Sequence, residues 1–267
     1  MAFTNSQLAT YVRLSPNHSG QRKHSIDTIT IHCIVGQWTA QQGCDYFAAT
    51  DSQSSANYVV GKDGSIGLSI EEKNRAWTSG GTDKNGNPIR VNGISGADND
   101  HRAVTIEVAS DTKHPYAITD KAYEALIDLV TDICKRNNIK ELLWEADKSL
   151  VGKINKQNMT VHRWFANKSC PGDYLYERHS DIAAKVNARL GVGVPPAADA
   201  TTPAPAPVAP NTNEIVVPPV YEEPTGEGEE IKGGEVPEHI KALEENQNFI
   251  AKLINYIIDF IVRLFSK

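Results

Sequence analysis

Thr28-Ile29-Thr30-Ile31-His32-Cys33-Ile34-Val35-Gly36 is the stretch from which the chain is best read. β-Branched residues alternate along it and glycine closes it, so it predicts a short buried strand. Side chains alternate between faces along a strand, which sends His32 and Cys33 to opposite sides. A strand end holds a side chain rigidly at the rim of a site. His32 is therefore a candidate ligand, although a lone histidine is more often a core or surface residue.

A second stretch raises its standing. Thr160-Val161-His162-Arg163-Trp164-Phe165-Ala166-Asn167-Lys168-Ser169-Cys170-Pro171-Gly172-Asp173 places an imidazole and a thiol eight positions apart, directly before a Pro-Gly turn. Imidazole and thiolate together suit Zn²⁺. Two ligands do not hold a catalytic zinc, and His32 is the best candidate for the third. Two histidines, one cysteine and an open fourth position make a hydrolytic zinc arrangement.

Other stretches fall in a telling order. After His32 come Ser55-Ala56-Asn57-Tyr58-Val59-Val60-Gly61-Lys62-Asp63-Gly64, then Ala76-Trp77, then Ala103-Val104-Thr105-Ile106-Glu107-Val108, and finally His162 to Gly172. Together they resemble the zinc-dependent N-acetylmuramoyl-L-alanine amidases, which include phage endolysins, cell-wall amidases and peptidoglycan recognition proteins. The resemblance covers roughly residues 22 to 190. It implies an α/β fold, a mixed central β-sheet flanked by helices, with zinc in a groove on one side. It also implies hydrolysis of the amide between N-acetylmuramic acid and the L-alanine of the stem peptide. Carried over by position, His32, His162 and Cys170 are the zinc ligands. Tyr58, Glu107 and Lys168 fall where the family places groups that act on the water or the oxyanion. Many members carry His where Asn57 stands, and Trp-His where Trp77-Thr78 stands. Asn57 and Trp77 are thus substrate-groove positions whose preference does not carry over.

The residue types suit that chemistry. Zinc lowers the pKa of its water to about 7 and polarises a carbonyl. A cationic Lys168 beside it stabilises an oxyanion. Glu107 can take the water's proton and pass it to the leaving nitrogen, and Tyr58 can donate to the oxyanion. The sequence does not divide these roles. Tyr58 also reads as a packed strand aromatic and Lys168 as a solvated loop charge. Glu107 stands apart, because an unpaired carboxylate within a β-branched strand is expensive to bury.

Composition bounds the rest. At 267 residues, with 40% hydrophobic and 22% charged residues, the chain suits one sizeable domain plus appendages. A net charge of −6 argues against nucleic acid and gives no bulk attraction to an anionic wall. The start, Met1-Ala2-Phe3-Thr4, has no secretory pattern. Synthesis in a reducing cytoplasm and free thiols are expected for Cys33, Cys44, Cys134 and Cys170. Together with the resemblance, this points to an endolysin that acts on the wall after release.

Residues 1 to 25 read as a loose arm. Helices are expected over residues 37–49, 119–137 and 181–190, the first opened by a Thr39/Gln42 capping box. Strands are expected at 56–60 and 65–70 around a Lys62-Asp63-Gly64 turn, and His101 opens the strand 103–109. Residues 71–100 are rich in Gly, Asn and Asp and read as a long irregular border to the groove. The catalytic domain is expected to span 1–191, followed by a Pro/Ala/Glu-rich linker over 192–237. Over 238–267, Ile240, Leu243, Gln247, Ile250, Ile254, Ile257, Ile261 and Leu264 step alternately by three and four, a heptad seam. Homo-oligomerisation through this tail is the first expectation. A membrane surface and packing back onto the catalytic domain are the others. A non-catalytic peptidoglycan-binding module is the alternative reading of the whole, but such relatives typically lack a zinc ligand, and here all three are present.

Overall fold

A computed structural model describes residues 3–193. The linker and tail, and with them the oligomer seam, lie outside the described residues. The chain order is β1 (Tyr11–Val12), β2 (His18–Gln21), β3 (Thr28–Val35), α1 (Ala40–Ala48), β4 (Tyr58–Val60), β5 (Ile66–Leu68) and β6 (Asn74–Ala76). It continues with β7 (Arg90–Val91), β8 (Ile94–Ser95), α2 (Gly96–Arg102), β9 (Ala103–Ser110), α3 (Asp120–Arg136), β10 (Met159–Thr160) and α4 (Gly172–Leu190). The main sheet has the order β1-β5-β4-β9-β3-β10. β4 and β5 pair antiparallel and the other neighbours pair parallel. This is the expected mixed sheet flanked by helices.

Alternation along β3 and β9 sorts the two faces of the sheet. Ile29, Ile31, Ile106 and Val108 join Tyr58 and Val60 in the larger core, together with Leu126, Leu129, Val130 and Ile133 of α3 and Ile182 and Val186 of α4. Each such aliphatic side chain withdrawn from water is worth about 1.5–3 kcal/mol, so this face anchors the fold. On the other face Ile34 and Val59 pack under Ala40, Cys44 and Phe47 of α1. The rest of that face is polar. Thr30 bonds Thr160, and Asn99 bonds both. Helix α1 covers the apolar part only, so the strand ends carrying His32 and Glu107 lie beside it at the edge of a groove.

Three expectations change. The N-terminal arm is stitched in: β1 extends the main sheet and β2 pairs with β6. Arg22, buried, fixes its end through Glu72, Asp100 and Ala103 carbonyls and the Asn57 side chain. The stretch 71–100 is not a continuous loop. It contains β6, the β7–β8 hairpin and the start of α2, because Ser95 and Asp98 form a reciprocal capping box with Asp in the place usually held by Glu or Gln. His101 consequently lies in the last turn of α2 and not at a strand start. The closing helix begins at Gly172 rather than at 181 and ends, as expected, on Gly191 with φ +79°. Among the described residues no helix is long and apolar enough to cross a membrane.

Candidate metal centre

Among the described residues β10 pairs only with Ile29 and Thr30, which leaves the outer half of β3 with an open edge. The chain after β10 turns there through a short 3₁₀ segment, His162–Trp164. Arg163 closes this loop: its amide donates to the Cys170 carbonyl and its guanidinium to the Ser169 carbonyl and the Asp173 carboxylate. Trp164 stacks on Trp144, centroids 5.3 Å apart, beneath the loop. The effect is to bring a strand and a distant loop to one point.

There the donor atoms of His32, His162 and Cys170 all lie within 4.8 Å of one another. Cys170 Sγ is 3.4 Å from His32 Nδ1, and the two imidazole rings meet edge-on at 5.0 Å. Glu107, register partner of His32 on β9, places Oε1 3.9 Å from His32 Nδ1. Its Oε2 is buried with no hydrogen-bond partner among the described residues. Lys168 is exposed on the loop and lines the same groove as Glu107, His162 and Cys170.

Burial governs the electrostatics. It holds His32 well below the usual imidazole range, with His162 and Lys168 adding to the effect. It lowers His162 to about 4 and pushes the Cys170 thiol well up. It raises Glu107 to about 8, against the pull of Lys168. Every charged form in the cluster is thus disfavoured by desolvation. Two neutral imidazoles and one thiol that turns thiolate on binding form a donor set that suits Zn²⁺.

The groove, about 470 Å³, continues from these residues along an apolar wall of Val35, Trp38, Tyr46, Phe47 and Trp77. Val35, Tyr46 and Trp77 are exposed there. Gly36 lets Trp38 fold against the strand end, since a Cβ at Gly36 would meet the indole nitrogen at 2.8 Å.

Two sequence candidates are not brought here. Tyr58 lies on the opposite face, buried in the larger core, where its hydroxyl donates to Glu72 and accepts from the Ser6 amide. It alternates with Val59, the residue registered with Glu107, and so points away from the cluster. Asn57 is fully buried and bonds Arg22, Thr105 and the Ile70 carbonyl. It holds strands together and lines no groove. Tyr58→Phe is expected to lower stability by about 1–3 kcal/mol, because Glu72 and an amide lose their partner. Turnover per folded molecule should match wild type; a large fall in kcat with unchanged melting would restore Tyr58 to the site.

Residues the sequence did not single out are Ser79 and Gly80. Ser79 Oγ lies 3.3 Å from His32 Nε2, and the Gly80 carbonyl 3.4 Å from His162 Nε2. The Gly80-Gly81 pair within a groove-bordering segment was the available signal.

An α/β domain with two imidazoles and a thiol gathered at a strand end, beside a carboxylate and a groove, defines a class of candidate metal-dependent hydrolases. A family model described as N-acetylmuramoyl-L-alanine amidase matches residues 22–173, and the chain belongs to that family. It is thereby an amidase. Among solved structures it is similar to PlyL (16% identity, 66% of this chain and 95% of that one, TM-score 0.42). It is also similar to a selenomethionine derivative of AmpD (19%, 68% and 99%, 0.45) and to the Staphylococcus aureus hydrolase AmiA in complex with its ligand (14%, 69% and 86%, 0.48). No curated protein matches the chain closely enough to count as a relative.

Proposed function

We propose that this amidase is zinc-dependent and of the endolysin type, cutting the amide between N-acetylmuramic acid and L-alanine in peptidoglycan. The observation that carries the reading is the cluster of His32, His162 and Cys170, with donor atoms within 4.8 Å of one another and beside Glu107 and Lys168. When bound, zinc supplies a Lewis acid and a water acidified to a pKa of about 7. Glu107 takes a proton on its carboxylate and returns it to the departing nitrogen. Lys168 Nζ holds the negative charge that grows on the carbonyl oxygen. Trp77 and the wall beside it offer flat apolar surface to the substrate and exclude water. Retention of the whole donor set favours this over a binding module without turnover. The test is release of new N-terminal alanine from purified wall, with metal content measured on the same samples.

We also propose residues 1–191 as the catalytic domain, 192–237 as a linker, and 238–267 as a segment that assembles copies through its heptad seam. Light scattering should give a multiple of the monomer mass for the full chain and a monomer after truncation at Gly191. Two monomer masses would end the assembly proposal.

A further inference from the structure

The two imidazoles come from distant parts of the chain, yet their outer nitrogens meet two consecutive residues of one segment. His162 Nε2 faces the Gly80 carbonyl at 3.4 Å. A carbonyl only accepts, so Nε2 carries the proton and Nδ1 is left bare. His32 Nε2 faces the buried Ser79 hydroxyl at 3.3 Å, while its Nδ1 faces Cys170 and Glu107. A hydroxyl accepting from Nε2–H leaves this ring in the same tautomer.

The segment itself is fixed from behind. Buried Asp100 receives the amides of Thr78 and Ser79 on Oδ2, at 3.0 and 2.9 Å. Among the described residues its Oδ1 takes no hydrogen bond, so both amides converge on the one oxygen, Oδ2. Gly96 admits the Ser79 carbonyl where a Cβ would lie 1.9 Å from it. Gly81 sits against Phe165 and Ala166 of the loop that carries His162; a Cβ there would meet Ala166 Cβ at 2.4 Å. Thr78 Oγ1 ties the same segment to Ser55 and Thr105.

We propose that Ser79 and Gly80 are positioning residues which together set both ligand imidazoles in the Nε2–H form with Nδ1 free for the metal, and that Asp100 holds them in place. Outer hydrogen-bond partners of this kind orient ligands and raise their basicity. The inference rests on the zinc reading above and adds to it that one loop controls the strength of the site.

The experiment measures zinc affinity of the full chain by chelator competition, for wild type, Ser79→Ala and Asp100→Asn. Cobalt(II) absorption is recorded in parallel as a report on ligand geometry. Ser79→Ala is expected to weaken zinc about 10–100-fold and to shift the cobalt spectrum, with the melting temperature of the metal-free protein little changed. Asp100→Asn keeps the side-chain volume, weakens the hold on the two amides, and should lower affinity several-fold. It provides the reading should Ser79→Ala fail to fold. Wild type binding zinc while the folded variants bind within twofold of it, with unchanged cobalt spectra, overturns the positioning role alone. Wild type that binds no zinc removes the metal reading first, and this inference with it.

Discussion

Cys170→Ser is expected to abolish bound zinc and amide cleavage together. The thiol is the soft donor among the three, and a serine hydroxyl does not ionise to replace it at neutral pH. Cys170 Sγ lies 3.4 Å from His32 Nδ1, and its removal leaves that corner of the cluster without a donor. The loss should exceed the roughly 10–100-fold attached to partners outside the ligand shell. Wild type should carry one zinc per chain and release N-terminal alanine from purified wall; the variant should do neither while keeping its far-UV circular dichroism. Equal alanine release from both proteins would refute Cys170 as a ligand and with it the metal centre. Folding is expected to survive, because Cys170 is only partly buried and the Arg163 bonds that close the loop use backbone and Asp173.

The second large effect is at Glu107. Glu107→Gln preserves shape and removes the proposed proton-handling group, so kcat should fall about 10²–10⁴-fold with zinc content unchanged. The separation of metal from rate is what distinguishes it from Cys170→Ser. Stability should hold or rise, because the side chain is mostly buried, its Oε2 is unpartnered, and burial already penalises the charged form. Wild-type kcat in the zinc-loaded variant would remove Glu107 from the chemistry. Zinc loss instead would make it a ligand or a ligand's support.

Much of the fold was legible because it rests on local chemistry. Thr39 and Gln42 cap α1 as their spacing predicts, Thr119 caps α3, and Gly191 ends α4. The elements within 71–100 are not legible in the sequence, because the Ser95–Asp98 box is a rarer form of the same cap and because two-residue strands leave almost no periodic trace. The pairing of the arm at residues 1–25 is hidden for a related reason. Its strands are short and take their partners, β5 and β6, from fifty or more residues away.

Tyr58 and Asn57 mark where position within a motif stops being informative. Asn57 precedes β4 and Tyr58 opens it, in the expected order, yet a strand turns alternate side chains to opposite faces, and Tyr58 faces the core. A one-residue difference in phase separates a groove residue from a packed one, and a motif order does not encode phase.

The sequence by itself determined the donor types, the strand that carries His32, the loop that carries His162 and Cys170, and the class of chemistry they serve. These are properties of residue identity and local pattern. Only the tertiary structure decided that the three donors converge, that Glu107 joins them while Tyr58 does not, and that Ser79 and Gly80 stand behind both imidazoles. Each of those depends on strand register and on contacts spanning tens of residues or more, and such contacts are settled by how the layers pack.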